Sequence, residues 1–408
     1  FFDQQKAHHL LQAPPEILCA DHRAKMERVI KAARVSADGR WFVEAKYDFS
    51  TKKNPECKEL GLGRVYADVT LGTLPVDIRN YIVTDCADID ISNSHPTCLL
   101  HACKEAGFEA QAPCLCEYVK DRKRTLAEIA ATYGLKTREE QKEAVIKVLN
   151  GGAAPAPMTP SGRHFLQLLQ SEAQALARIL MADPRYSAEA AAAKKLKGRA
   201  TFLHYLMTKI ELDLLMSLAS YLQNHQRTIR CFIYDGLLVE LQGGEAESGI
   251  SPEMLRDAEA HVFNETGCHV TLAAKPMQSC YHDKMKDVPE CIVDDDYAAG
   301  VFVSLYGRDN LMSIDGKIHL FNKRTGQWEN SERSLCAAVH AHKRGLLFKV
   351  GKQTHNYGGD ATNIRKMLGL IGNYVDVDDD FYLNNLDSSQ GKLLFQDGIY
   401  DFDTDTFA

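Results

Sequence analysis

The chain has 408 residues, 45% of them hydrophobic and 25% charged, with a net charge of -7 at pH 7. This is the composition of an ordinary globular protein with room for a real core, in two to three domains at roughly 100–200 residues each. No run of eighteen apolar residues exists to span a membrane, and the 12 cysteines follow no regular framework and no secretory leader, so reduced thiols in an intracellular protein are expected. An acidic total does not advertise nucleic-acid binding, although positive charge confined to a cleft is compatible with it.

In chain order, residues 1–60 read as partly helical ("RAKMERVIKAARVS") and then extended ("RWFVEAKYDF"). "GLGRVYADVTLGTLPVDIRNYIV" is a Gly-punctuated loop leading to a helix, followed by the strand "CADIDI" and a helix from about Thr97 to Ala106. "TREEQKEAVIKVLNGG" predicts a helix: Thr137 and Glu140 form a capping box, and Gly151-Gly152 ends it. "TFLHYLMTKIELDLLMSLASYLQ" predicts a long amphipathic helix, with Ile210, Leu214, Leu218 and Leu222 recurring every four residues. "IRCFIYDGLLVEL" reads as a hairpin turning at Tyr-Asp-Gly, and a helix ("PEMLRDAEAHVFNETG") and a strand ("HVTLAAKPM") follow. The acidic stretch "KDVPECIVDDD" then separates an α+β region with hairpin signals in "SIDGKIHLFNKRTGQW" and "KLLFQDGIYDFDTDTF". The chain opens without Met and stops inside a pattern, so a piece of a longer protein is expected.

Asp88 and Asp90 share one face of a strand, because side chains alternate with period two. Asp235 sits at a hairpin turn between two apolar strands. Carboxylates brought together from such distant segments repel one another unless cations lie between them. Magnesium suits the role, since it takes one or two carboxylates plus substrate phosphates. Two such ions about 4 Å apart clamp the attacking and leaving oxygens in phosphoryl transfer. Each acidic signal also has a plain surface-acid or turn reading, and the segments between them decide.

Those segments carry a resemblance. "DISNSHPT" resembles motif A of family A DNA polymerases, with Asp90 in the metal-ligand position, Ser92 in the serine position and His95 where those enzymes have glutamate. "IYDGLLVE" resembles motif C, with Asp235 as the second metal ligand and Tyr234 in place of its histidine. Between them "REEQKEAVIKVLNGG" resembles motif B, every spacing kept: Arg138, Lys142, Ile146, Asn150, Gly151. Upstream, "LGRVYADVTLGTLP" resembles the stretch that precedes motif A, with Arg64 in the arginine position. The four motifs run in the family's order across roughly residues 61–277, and as a set they most resemble the TV-Pol branch. That branch is found in viruses and mobile elements, is similar to family A DNA polymerases and single-subunit phage RNA polymerases, and is typically fused to a superfamily-3 helicase.

The resemblance implies an α+β fold: a right-hand polymerase palm, an antiparallel sheet with helices, carrying a helical fingers insertion, and a smaller C-terminal α+β linker domain. It implies a partial N-terminal helical region (1–60), palm and fingers (61–285) and a poxvirus-type primase-helicase linker domain (286–408) before a helicase beyond the chain. The expected activity is that of a primase-polymerase, a DNA-directed nucleotidyltransferase making short primers or DNA on a single-stranded DNA template from nucleoside triphosphates. Two Mg2+ or Mn2+ ions would be held by Asp90 and Asp235. Lys142 would stabilise triphosphate charge and protonate the leaving pyrophosphate, with Arg138, Ile146, Asn150, Gly151, His95 and Ser92 around the nucleotide. The expected partners include the helicase in cis and a homo-hexamer in the full-length protein.

Several readings stay open. Asn150 and His95 replace residues that select the sugar in relatives, and His95 is equally a buried structural histidine before Pro96. "KKLKGRATFLHYLMTK" carries five Lys or Arg and no acid, with Phe202, His204 and Tyr205 interleaved. Arg199 and His204 are its nucleic-acid candidates, with Arg64 and Tyr234, against a solvent-facing basic helix start. A shift of the alignment by two would give the metal to Asp88. Rival functions are a non-catalytic single-stranded DNA-binding module that loads the helicase and an Asp-x-Asp glycosyltransferase. A zinc site among His95, Cys98, His101, Cys103, Cys114 and Cys116 is declined for irregular spacing, and "GLLFKVGKQT" departs from a phosphate-binding loop in spacing and in its Gln.

Overall fold

The computed structural model describes residues 1–36, 40–49, 61–158, 163–195, 198–288, 294–323, 325–350, 353–378, 380, 392–394, 399–401 and 406–407. Parts of several sequence features lie outside the described residues: 50–60 of the N-terminal region, 196–197 of the basic tract, 289–293 of the acidic stretch, Arg324 of the first C-terminal hairpin signal, 351–352 of the declined phosphate loop, and 395–398 with 402–405 of the C-terminal signature. The chain folds into two compact units, neither of them one run of sequence. We call them central (Ala45–Asp68 and Asp85–Met277) and terminal (Phe1–Glu44, Val69–Thr84 and Gln278–Ala408).

The central unit is built on a four-stranded antiparallel sheet. Its spatial order is Ile229–Ile233, Gly236–Glu240, Cys86–Ile91, Leu272–Pro276. In Cys86–Ile91 the alternation works as the sequence implies: Ile89 and Ile91 are buried while Asp88 and Asp90 are half-buried on the opposite face. Between the first and second strands in sequence lies a helical insertion. It includes Ser94–Glu105, Pro113–Lys120, Arg122–Tyr133, Arg138–Leu149, Phe165–Ala182, Ser187–Lys194 and Arg199–Asn224. These helices bury Leu99, Leu115, Ile129, Val145, Phe165, Leu169, Phe202 and Leu218 in one core that continues into Ile89, Leu237 and Val239 of the sheet. An α+β chain with an antiparallel sheet, backing helices and a helical insertion is thus what the structure shows.

Local chemistry explains the boundaries. Arg138–Leu149 starts at the expected capping box, with Thr137 Oγ1 accepting from Glu140 N (3.2 Å) and Glu140 accepting from Thr137 N (3.0 Å). It ends where Gly151 takes a positive φ of 81°. Ser94–Glu105 starts earlier than expected because Asn93 adopts the left-handed conformation, which asparagine tolerates. Pro113–Lys120 has no cap of its own. The buried Glu172, from another helix, accepts from Cys114 N (2.7 Å) and Leu115 N (2.8 Å), satisfying two otherwise orphan donors.

The terminal unit pairs helices Gln4–Gln12, Ala20–Lys31 and Val76–Ile82 with helices Asp295–Tyr306, Glu332–Ala341 and Ala361–Leu368. Its four-stranded sheet runs Gln327–Glu329, Lys317–Asn322, Leu311–Ile314, Asp376–Val377, the last parallel to its neighbour. The hairpin between Leu311–Ile314 and Lys317–Asn322 turns on Asp315 and Gly316, both with positive φ (49° and 69°), as an Asp-Gly turn requires. The strands Lys392–Leu394, Ile399–Asp401 and Thr406–Phe407 form a separate antiparallel sheet. Among the described residues no helix is long and apolar enough to cross a membrane.

Candidate active site

The central sheet brings Asp90 and Asp235 together. Asp90 lies near the end of Cys86–Ile91 and pairs across the ladder with Gly236. Asp235 is the second residue of the two-residue turn between Ile233 and Gly236, and its carbonyl accepts from Ile91 N at 3.0 Å. Glycine is needed at 236: a Cβ there would lie 2.7 Å from the Ile89 carbonyl oxygen and 3.1 Å from Asp90 Oδ1. Tyr234, the other turn residue, has φ 51°, a conformation that costs a non-glycine residue roughly 1–2 kcal/mol. The turn is therefore pressed onto the strand that carries Asp90.

Electrostatics follow from this contact. Burial, then the neighbouring charges of Asp90 and Glu211, push the Asp235 carboxyl up to about 6, against a smaller lowering by its own backbone hydrogen bond and by Arg64. Asp90 is ion-paired with Lys275, which stands opposite Asp88 on the adjacent Leu272–Pro276 strand. Burial alone would lower Lys275, but the Asp90 bond and the charges of Asp90, Asp88 and Asp235 outweigh it and raise it.

A second polar group adjoins the pair. Glu211, buried on the long helix Arg199–Asn224, accepts from Arg64 Nε (3.1 Å), Arg64 Nη2 (3.3 Å) and Ser94 Oγ (2.9 Å), and its Oε2 lies 3.2 Å from His95 Nε2. Burial would raise the Glu211 carboxyl, yet His95, Arg64 and Ser94 together hold it below its ordinary value. Arg64 also lies 3.1 Å from His95 Nε2 and stacks its guanidinium over the Tyr234 ring at 5.1 Å. The His204 ring stands 6.2 Å from that of His95. Burial, then the charges of His95 and Arg64, lower His204.

A third group is cationic. Lys142 is half-buried one turn from Arg138, and burial, then Arg122 and Arg138, lower its ammonium, with a smaller contribution from Lys275 and an opposing one from Glu139, 3.8 Å away. Ile146 continues this half-exposed stripe. Asn150 turns its amide back to donate to Ile146 O (3.0 Å), and its buried Oδ1 has no partner among the described residues. Ser92 sits just past the strand, its N–H bonded to Thr271 O at 2.8 Å. Arg199 opens the long helix, is exposed, and makes no hydrogen bond or ion pair with the described residues.

Three contributors escape a linear reading: Glu211, Lys275 and Arg122. Glu211 had a signal, since an acid four residues from Met207 and from Leu215 falls inside the buried stripe of the helix. Lys275 and Arg122 had none, because only strand pairing and helix packing bring them to the site.

Asp90 and Asp235 fit a hard divalent cation. They offer two converging carboxylates on rigid backbone, with the Asp235 carboxyl raised to about 6 first by burial and then by the charge of Asp90, a repulsion that a cation between them would relieve. Among the described residues no group of three or more His, Cys, Asp or Glu side chains forms a ready-made metal cage.

The fold and site define an α+β protein whose central antiparallel sheet presents paired carboxylates beside a cationic helix face. No family model matches the chain. It is similar to the "Putative helicase V13" of Sputnik virophage, at 26% identity over 387 residues, covering 90% of this chain and 47% of that protein. The chain thus spans about half the length of that relative. Among solved structures it is similar to the POL domain of Pol1 from M. smegmatis in complex with DNA primer-template and dNTP. That likeness covers 62% of this chain and 50% of the other, at a TM-score of 0.41 and 13% identity.

Proposed function

We propose that the central unit is the catalytic core of a template-directed nucleotidyltransferase, a primase-polymerase of the TV-Pol type acting on single-stranded DNA. The observation that carries this reading is the meeting of Asp90 and Asp235 at one end of the sheet, with Lys275 ion-paired to Asp90 and its charge also reaching Lys142, which clusters with Arg138 and Arg122. Paired acids beside a cationic helix face suit a polyanionic substrate that arrives with its own metal. The order of the four motifs along the chain supports the same assignment. Similarity to a virophage protein named as a helicase supports a place ahead of a helicase in one polypeptide; a homo-hexamer of the full-length protein is the assembly this reading expects of that helicase part.

Asp90 and Asp235 would hold two Mg2+ or Mn2+ ions, which supply charge neutralisation at the attacking and leaving oxygens. The chain's own residues do the rest. Arg138 and Lys142 bind the triphosphate and align its α-phosphorus with the 3′-hydroxyl of the primer or first nucleotide. The hydroxyl passes its proton to solvent water, a bond forms between its oxygen and the α-phosphorus, and the bond from that phosphorus to pyrophosphate breaks. Lys142, made a readier acid by burial and by Arg122 and Arg138, gives its proton to the departing pyrophosphate. Lys275 neutralises Asp90 until the nucleotide arrives. The knot of Glu211, Arg64, His95 and Ser94 holds Tyr234 and the start of the Ser94–Glu105 helix against the site.

The test is synthesis on a single-stranded DNA template with Mg2+ or Mn2+, with NTPs or dNTPs, with and without primer, beside Asp90→Ala and Asp235→Ala. Products without primer that vanish in both variants are expected. Products only with primer would leave a polymerase without priming. No product, with DNA binding equal in wild type and variants, would overturn the enzymatic reading in favour of a loading module.

A further inference from the structure

The terminal unit contains a cavity of about 490 Å³ lined by Ala33, Arg34, Val35, Leu305 and the run His340–Gly345. Its floor is apolar and its rim is basic: Arg34, His342, Lys343 and Arg344 face it, and no acidic residue lines it. In a chain of net charge -7 such a sign reversal is local and built. Two glycines set the turn that carries the cations. A Cβ on Gly345 would meet Leu305 Cδ1 at 2.6 Å and Val35 Cγ2 at 2.8 Å, and one on Gly358 would meet Lys343 Cα at 2.5 Å. The turn Lys343–Leu346 is therefore clamped between the Asp295–Tyr306 helix, the Arg34–Val35 strand and the Tyr357–Gly358 backbone.

The charges on this turn are unspent. Arg344 is exposed and makes no ion pair or hydrogen bond with the described residues. Lys343 reaches only His340 Nε2, at 3.5 Å, while His340 Nδ1 donates to Gly358 O at 3.3 Å, so the ammonium keeps donors to spare. His342 Nδ1 donates to Ala338 O at 2.8 Å, and its ring is held by Phe302 and Tyr306 at 6.1 and 5.8 Å. Arg34 is paired with Glu44 at 2.7 Å, so the unspent cations of the cavity are those of the turn. Adjacent Lys and Arg on a rigid turn, over an apolar recess of nucleotide size, match a phosphate joined to a flat apolar group.

We propose that this cavity is a phosphate-binding site that takes one nucleotide unit of a single strand, its phosphate on Lys343 and Arg344 and its base over the Val35–Leu305 floor. The site lies wholly within the terminal unit and uses none of the residues assigned to synthesis, so it stands or fails independently of the proposed activity.

The experiment is fluorescence anisotropy of a labelled single-stranded oligonucleotide titrated with the full chain at several salt concentrations, beside the double variant Lys343→Ala/Arg344→Ala and the charge-keeping Lys343→Arg/Arg344→Lys. The alanine pair should weaken binding by about tenfold near 0.1 M salt and reduce the salt slope by about 1.4, the value for two lost phosphate contacts on a single strand. The charge-keeping pair should bind like wild type. Competition with ATP and with inorganic pyrophosphate separates the sources. Competitors that displace the strand from wild type, and bind the alanine pair more weakly, place a free nucleotide in the same site; competitors without effect leave the strand as the ligand. Ala341→Trp, which fills the recess without changing charge, should weaken strand binding and leave the far-UV circular dichroism unchanged. Strand and nucleotide binding that are unaltered in both the alanine pair and Ala341→Trp would overturn the proposal.

Discussion

Replacing Asp235 with asparagine should stabilise this protein. The carboxyl is held at about 6 instead of its ordinary 3.8, first by burial and then by the charges of Asp90 and Glu211. At about 1.4 kcal/mol per tenfold, the ionised form then costs ~3 kcal/mol more in the folded chain than in the unfolded one. Asparagine keeps the shape and removes the charge, and its buried amide returns part of that gain, so a stabilisation of about 1–3 kcal/mol is expected at pH 7.5. The pH dependence carries the sign. Between 3.8 and about 6 the folded wild type binds more protons than the unfolded chain, so its stability falls as pH rises through that window and stays reduced above it. The variant lacks this loss, so its advantage should be full above pH 7 and close towards pH 4. Urea unfolding followed by far-UV circular dichroism measures it. Emission from Trp41 and Trp328, both in the terminal unit, serves as an internal control that should not move. A variant no more stable than wild type at pH 7.5, or one whose advantage is the same at pH 4, would refute the assignment of charge repulsion at this turn.

Lys275→Ala removes the counter-charge of Asp90, so Mn2+ should raise the melting temperature of the variant more than that of wild type; equal shifts would mean that Lys275 does not compete for the carboxylate. Glu211→Ala leaves the half-buried Arg64 and the buried His95 without their acid, and breaking this largely buried pair should cost up to about 3–5 kcal/mol in urea unfolding. Gly236→Ala places a methyl 2.7 Å from the Ile89 carbonyl, so nucleotide addition should fall sharply for a stability loss of about 1–3 kcal/mol. Activity equal to wild type would show that the Asp90–Asp235 spacing is not critical. Thr137→Ala removes one arm of the capping box and should cost about 1 kcal/mol by chemical denaturation, a readout of the Arg138–Leu149 helix alone.

What the sequence determined by itself was whatever short-range chemistry specifies. The capping box at Thr137 and Glu140, the hairpin at Tyr234-Asp235-Gly236, the Asp315-Gly316 turn and the alternation of Asp88 and Asp90 against Ile89 and Ile91 are all set by neighbours within a few residues. They were legible for that reason, and so were the spacings that singled out Asp90, Asp235, Arg138 and Lys142. The tertiary structure alone decided which distant groups share those residues' electric field. Lys275 reaches Asp90 through strand register, and Glu211 reaches Arg64, Ser94 and His95 because one face of a long helix packs inward. Asn150 shows the same division: its spacing placed it on the stripe of Arg138, Lys142 and Ile146, and only the folded helix shows its amide donating to Ile146 O. Charge acts through space with no regard for sequence distance, so the partners that set the state of Asp235 became visible only once the sheet and the helix were folded together.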